Sequence, residues 1–138
     1  MDYHISSKLT PAERAYVTAP HPNEQQRIDA NRRYEGLHVL LYALSYAPAL
    51  AYPDRMCDVA PDVKIIHDLS EEQFRERAKL RGKREILDQA DLILRLDWAC
   101  TEARLKKQPA PGGLNSEVVV EHLGEPINIA QAMITYCV

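Results

Sequence analysis

The sequence predicts an all-α fold, a compact single-domain bundle of about five to six helices. Three observations lead there. Helix-start signatures recur along the chain, one long stretch carries apolar residues at helical spacing, and 138 residues suffice to bury a single core without disulfides or a metal. Residues 1 to 9 read as an N-terminal tail, and residues 10 to 138 as one helical domain.

The first helix starts at Thr10-Pro11-Ala12-Glu13, where a capping threonine, a proline at the first helical position and a glutamate three residues on satisfy the free amides. It is expected over residues 11 to 17, before Pro20 and Pro22 break the chain. Asn23 with Gln26 repeats the capping pattern, opening a helix to about Tyr46. Its first half is polar apart from Ile28 and Tyr34. Its second half, Leu37 to Leu44, is apolar nearly all round, so this helix begins in solvent and ends in the core.

Pro48 and Pro53 mark a loop that ends at Cys57-Asp58, and Asp58 caps a helix containing Val59, Val63, Ile65 and Ile66. Ser70-Glu71-Glu72-Gln73 opens a short helix with Phe74 and Ala78, closed at Gly82. From Lys83 to Lys107, Ile86, Leu87, Ala90, Ile93, Leu94, Trp98, Thr101 and Leu105 recur at helical spacing, with Arg104, Lys106 and Lys107 complementing the dipole at the end. Ile86, Leu87, Ala90, Ile93, Leu94 and Trp98 are expected to pack on Leu37, Leu40, Leu41 and Leu44 in one core. Pro111-Gly112-Gly113 reads as a turn, and Asn115 as the cap of a segment through Val118, Val119 and Val120. The tail from Ile127 to Tyr136 fits either a last helix or an extended segment.

Apolar residues make up 46% and charged residues 27% of the chain, which places it with folded globular proteins. No apolar run approaches the ~18 residues of a membrane span, and the N-terminus lacks the charged and apolar regions of a secretory signal. A cytoplasmic protein without membrane association is expected. Cys57, Cys100 and Cys137 are odd in number, widely spaced and without a Cys-x-x-Cys pair, so they read as small buried hydrophobes. The net charge of −3 resides in Glu117, Glu121 and Glu125, since the remaining acids and bases balance. Such a chain has no overall field for nucleic acid.

Four features invite a functional reading. Glu35 and His38 form a Glu-x-x-His pair, the spacing by which bundle helices present ligands to two metal ions. That centre needs a second such pair and two more carboxylates, so the sequence predicts no metal and no cofactor. Glu35 is instead expected to pair with Arg32 or Arg33, with His38 packed nearby. Asp97 interrupts the apolar helix and is expected to be partly buried, which calls for a partner. Arg75 to Arg84 is the one basic cluster, but acids flank it and no aromatics interleave it, so it reads as a solvated surface. Neither Ser116 nor any cysteine lies in a nucleophile motif.

Arg33-Tyr34-Glu35 leading into Leu40-Leu41 and Ala43-Leu44, Pro53-Asp54 with Cys57-Asp58-Val59, Glu85-Ile86-Leu87-Asp88, Trp98-Ala99, Ala103-Arg104-Leu105 and Pro111-x-Gly113-Leu114-Asn115 occur in this order. Together, over roughly residues 8 to 121, they resemble the bacterial "domain of unknown function 4272" family. The resemblance implies a shortened N-terminus relative to most members. It also marks Asp97 as a departure, where relatives often carry histidine, and the stretch His122-Leu123-Gly124-Glu125-Pro126 as another. The family brings a fold but no activity, substrate or cofactor.

The function expected from these features is a non-enzymatic protein-binding module, in its concrete form an immunity protein that neutralises a cognate bacterial toxin. Glu117, Glu121 and Glu125 would face a basic toxin domain, where complementary charge speeds capture. The alternative is an enzyme that gathers the carboxylates Glu35, Asp97 and Glu121 in an inter-helical pocket, with Arg33, His38 and His122 completing a polar site.

Overall fold

A computed structural model describes residues 5 to 114, and within them the chain is all helical. The α-helices are α1 (Pro11–Thr18), α2 (Glu24–Ala43), α3 (Val59–Asp68), α4 (Glu71–Arg77) and α5 (Lys83–Leu105). Short 3-10 turns occupy Ile5–Ser7 and Pro111–Gly113. Each start predicted within the described residues is present: Thr10 with Glu13, Asn23 with Gln26 and Ser70 with Gln73 form reciprocal capping boxes, and the Asp58 carboxylate accepts the Ala60 amide.

Helix α1 is tied down by charge more than by burial. The Glu13 carboxylate accepts the backbone N–H and hydroxyl of Thr10, each at 2.8 Å, and pairs with Arg33 of α2. The Thr10 backbone, the Thr10 hydroxyl and Arg33 together hold the Glu13 carboxyl down at about 2, from an ordinary 4.5. A carboxyl with a lowered folded pKa stabilises above its unfolded value and loses that contribution as pH falls through the folded one. The protection of α1 amides against hydrogen exchange, corrected for the intrinsic rate at each pH, should therefore fall progressively between about pH 4.5 and about pH 2, with the rest of the fold lagging behind. Glu13→Gln should abolish this step and leave α1 exchanging quickly at neutral pH. Equal exchange in both proteins across that range would show that α1 is held by something else.

Helix α2 stops at Ala43, three residues before the expected end. The following backbone turns sharply, with Ser45 at a φ of 64°. Its last carbonyls are taken up from outside the helix: the Arg81 amide donates to Ala43 O and the Lys79 amide to Leu44 O, so residues 79 to 81 run alongside the helix end. The Ser45 hydroxyl returns a bond to Lys79 O at 2.7 Å. Tyr46 closes the corner by stacking on Phe74 at 4.7 Å between ring centroids while its hydroxyl donates to Phe74 O. A sequence pattern shows where apolar residues continue. It does not show that a distant segment satisfies the C-terminal carbonyls and so ends the helix early.

The core has two parts. Val39, Tyr42 and Ala43 of α2 face Ile86, Ala90 and Ile93 of α5 across a shallow apolar cleft that Leu50 helps to line. Farther along α5, Ile93, Cys100 and Leu114 are buried together, with Leu50, Leu96 and Ala110 packed against them. Leu114 gets there because the chain reverses at Gly112 and Gly113, both at positive φ. The positive φ of 67° at Gly112 is what calls for glycine in the turn predicted at Pro111-Gly112-Gly113, and a Cβ there would also displace the Tyr52 hydroxyl, which it would meet at 2.9 Å.

Two expected core residues lie elsewhere. Leu40 is 46% and Trp98 68% exposed, so the packing of α2 on α5 runs through Val39, Tyr42 and Ala43 rather than Leu40, and through Ile86, Ala90 and Ile93 without Trp98. Because the second half of α2 is apolar all round, periodicity could not select which side meets α5. The basic run resolves into surface pairs and one inward residue. Arg75 pairs with Glu71 and Arg84 with Asp88 along their own helices, while Arg81 turns inward.

Candidate functional site

The densest group of chemically capable side chains lies where α2 meets α3. Glu35 and His38 are one turn apart on α2. Cys57 ends the long loop, and Asp62 lies in the first turn of α3, one turn beyond the Asp58 cap. The loop is seated by Glu35, whose carboxylate accepts the Cys57 backbone N–H at 2.8 Å. His38 Nδ1 lies 2.8 Å from Asp62 Oδ2, and Asp62 is only 2% exposed. With Asp62 ionised, Nδ1–H donates and the lone pair rests on Nε2. One donor atom each from His38, Cys57 and Asp62 all lie within 4.8 Å of one another.

Electrostatics set the state of the thiol. Burial pushes the Cys57 thiol up to about 12, and the nearby carboxylates of Glu35, Asp62 and Asp58 push the same way. A thiol so placed is protonated at neutral pH and is a poor nucleophile, since reactive cysteines need a cationic neighbour or helix N-terminus that favours the thiolate. The chemistry this group supports is ligation and hydrogen bonding.

Sequence reasoning found half of this group. The Glu35/His38 spacing was legible, whereas Cys57 read as a buried hydrophobe and Asp62 was passed over. One signal pointed to Asp62. It lies one turn ahead of Ile65 and Ile66 and two turns ahead of Leu69, on the side of α3 that is buried, while Val63 faces out. A carboxylate on the buried stripe of a short helix needs a partner.

The other flagged residues are distributed elsewhere. Arg33 reaches across to Glu13 on α1. Asp97 is half-buried on α5, where burial raises its carboxyl and Arg104 acts against that rise, and it borders Cys100 of the core. Among the described residues no interaction joins Asp97 to Glu35. Glu117, Glu121, Glu125 and His122 lie outside the described residues, as do Asn115, the valines after it and the tail from Ile127. Helix α5 also carries a feature the core expectation concealed. Trp98 and Leu105, two turns apart on one stripe, are 68% and 76% exposed.

The family model for the domain of unknown function DUF4272 matches residues 1–123, most of the chain and all of the described helices. The chain belongs to the DUF4272 family. Two of the motifs that carry the resemblance contribute to this site, and a third contributes to the core of the DUF4272 domain. Arg33-Tyr34-Glu35 supplies the Glu35 carboxylate and the Arg33 link to α1, and Cys57-Asp58-Val59 supplies the loop end and the cap of α3. Pro111-x-Gly113-Leu114 delivers Leu114 to the core of the DUF4272 domain. No curated protein and no solved structure matches the chain.

Proposed function

We propose that this domain is a non-enzymatic protein-binding module whose partner is a basic protein, in the concrete version a toxin domain that it neutralises as an immunity protein. The observation that carries the reading is the outer stripe of α5, where Trp98 and Leu105 stand out to solvent. Large exposed apolar side chains on one stripe mark interaction surfaces, and tryptophan is prominent among residues that dominate binding energy. The net charge of −3, with its excess in Glu117, Glu121 and Glu125, favours a basic partner and fast capture. Two of the carboxylates an enzyme reading would recruit are engaged otherwise: Glu35 seats the Cys57 loop, and Asp97 lies beside Arg104 and Cys100 on α5. No helix among the described residues is long and apolar enough to cross a membrane, and a cytoplasmic site of action belongs to the same proposal.

Trp98 is the only tryptophan, so intrinsic fluorescence reads this face directly. In the free protein its emission should be red-shifted and fully quenched by iodide. Titration with a purified basic toxin domain, taken from a toxin gene adjoining this one, is the test: under this reading it shifts the emission to the blue, shields it from iodide and abolishes the toxin's activity. Combined Trp98→Ala and Leu105→Ala substitution should weaken binding by at least about 30-fold, the scale of a dominant interface residue. Replacing Glu117 and Glu125 with lysine should slow association and flatten its salt dependence. Blue, shielded emission from the free chain, or unchanged affinity in the double alanine variant, would overturn the α5 reading.

A further inference from the structure

The geometry points to a divalent transition-metal site, zinc in its chemistry, built from His38, Cys57 and Asp62, with Glu35 positioning the cysteine. This inference is independent of the partner reading, because its residues belong to α2, α3 and the loop between them and none to the outer stripe of α5.

Three observations carry it. The donors come from three separate elements, α2, the loop and α3, and still gather within 4.8 Å of one another. Their types, one thiol sulfur, one imidazole nitrogen and one carboxylate oxygen, make the mixed set that suits a four-coordinate zinc ion and suits magnesium or calcium poorly. The third observation is charge. The Asp62 side chain is 3% exposed, and the partner described for its carboxylate is a histidine that is itself only 21% exposed. A divalent ion would neutralise Asp62 together with a Cys57 thiolate, reversing the electrostatics that now keep the thiol protonated.

The required movement is small. His38 Nδ1 and Asp62 Oδ2 are 2.8 Å apart with a proton between them. A metal in the proton's place, with the imidazole in its Nε2–H tautomer and the Cys57 thiol proton released to solvent, would open that separation to roughly 3.3 Å, the spacing of two ligands on a tetrahedral ion with bonds near 2 Å. Cys57 would draw in from the loop, guided by the Glu35 carboxylate on its backbone amide. Three protein donors leave one coordination position for water or for a group brought by a partner. The Glu35/His38 pair alone argued for a metal-free protein. The further donors are neither a second Glu-x-x-His nor extra glutamates, but a loop cysteine and a helix aspartate.

The test uses the full chain, stripped with a chelator and checked for helicity by circular dichroism. Added Co²⁺ should give a 1:1 complex with an intense thiolate-to-metal absorption in the near ultraviolet and visible bands of tetrahedral strength. Zn²⁺ should displace it, compete with a chromophoric chelator and raise the Tm, since an ion that binds only the folded state stabilises it. Cys57→Ser should remove the thiolate band, while Cys100→Ser and Cys137→Ser should keep it. His38→Ala and Asp62→Asn should lose the 1:1 complex, and Glu35→Gln should weaken it by about 10- to 100-fold, as loss of an orienting group does. If Asp62→Asn does not fold, His38→Gln and Cys57→Ser decide the matter alone. No thiolate band in the folded parent, or a band that survives Cys57→Ser, would overturn the assignment.

Discussion

Arg81→Ala should lower the stability of this fold by about 2–4 kcal/mol in urea unfolding, the scale expected when charged hydrogen bonds to backbone carbonyls are removed and the carbonyls lose a partner. The Arg81 side chain is only 14% exposed, although it sits in the most basic stretch of the chain. Its Nε donates to Tyr42 O at 2.6 Å, and one Nη donates to Ala47 O and Pro48 O, while the other pairs with Glu85. The guanidinium also lies over the Tyr42 ring, 4.2 Å from its centroid. It thus places a positive charge where the α2 dipole is negative, occupies the Ala47 and Pro48 carbonyls of the turn, and adds a bond to Tyr42 O, which also accepts the Ser45 amide. Arg81→Lys keeps the charge but not the planar fork, so it should recover less than half of the loss. An Arg81→Ala midpoint within about 0.5 kcal/mol of the parent, the range of an ordinary surface substitution, would show that the end of α2 is held by the backbone ladder alone.

Leu41→Ala should cost about 2–5 kcal/mol, and Trp98→Ala less than about 1 kcal/mol, despite the larger volume removed in the second case. Leu41 is 1% exposed, so its truncation leaves a cavity that close-packed neighbours fill only in part. Trp98 is 68% exposed, and most of its area is in water in the folded and unfolded states alike. Paired denaturation curves with equal slopes give the comparison directly. A larger loss for Trp98 than for Leu41 would mean that the stripe on α5 is buried within the chain, and it would count against the proposed binding face as well.

Much of the fold was legible because helix ends are written in local chemistry. A capping box needs only four consecutive residues, and the three in this chain formed where the spacing of Thr10, Asn23 and Ser70 to their partners placed them. The candidate site was legible only in part. Glu35 and His38 share a helix and a face, so their spacing reveals them. Cys57 and Asp62 come to them through a turn of the chain that no local pattern encodes, 22 and 24 residues distant in the respective contacts.

By itself, then, the sequence determined the helices: where α1 to α5 begin and the glycine turn before Leu114, both of them consequences of contacts within a turn or two of the chain. Tertiary structure alone decided which face of each helix meets which neighbour. Leu37 to Leu44 offers apolar surface in every direction, and the choice of Val39, Tyr42 and Ala43 over Leu40 depends on how α2 is oriented toward α5. The same docking ended α2 at Ala43 through Lys79 and Arg81, left Trp98 outside, and carried Cys57 and Asp62 to His38. Periodicity records that a side chain is apolar or charged. Its partner is chosen by the packing of whole elements, where burial, hydrogen-bond satisfaction and charge must be met together.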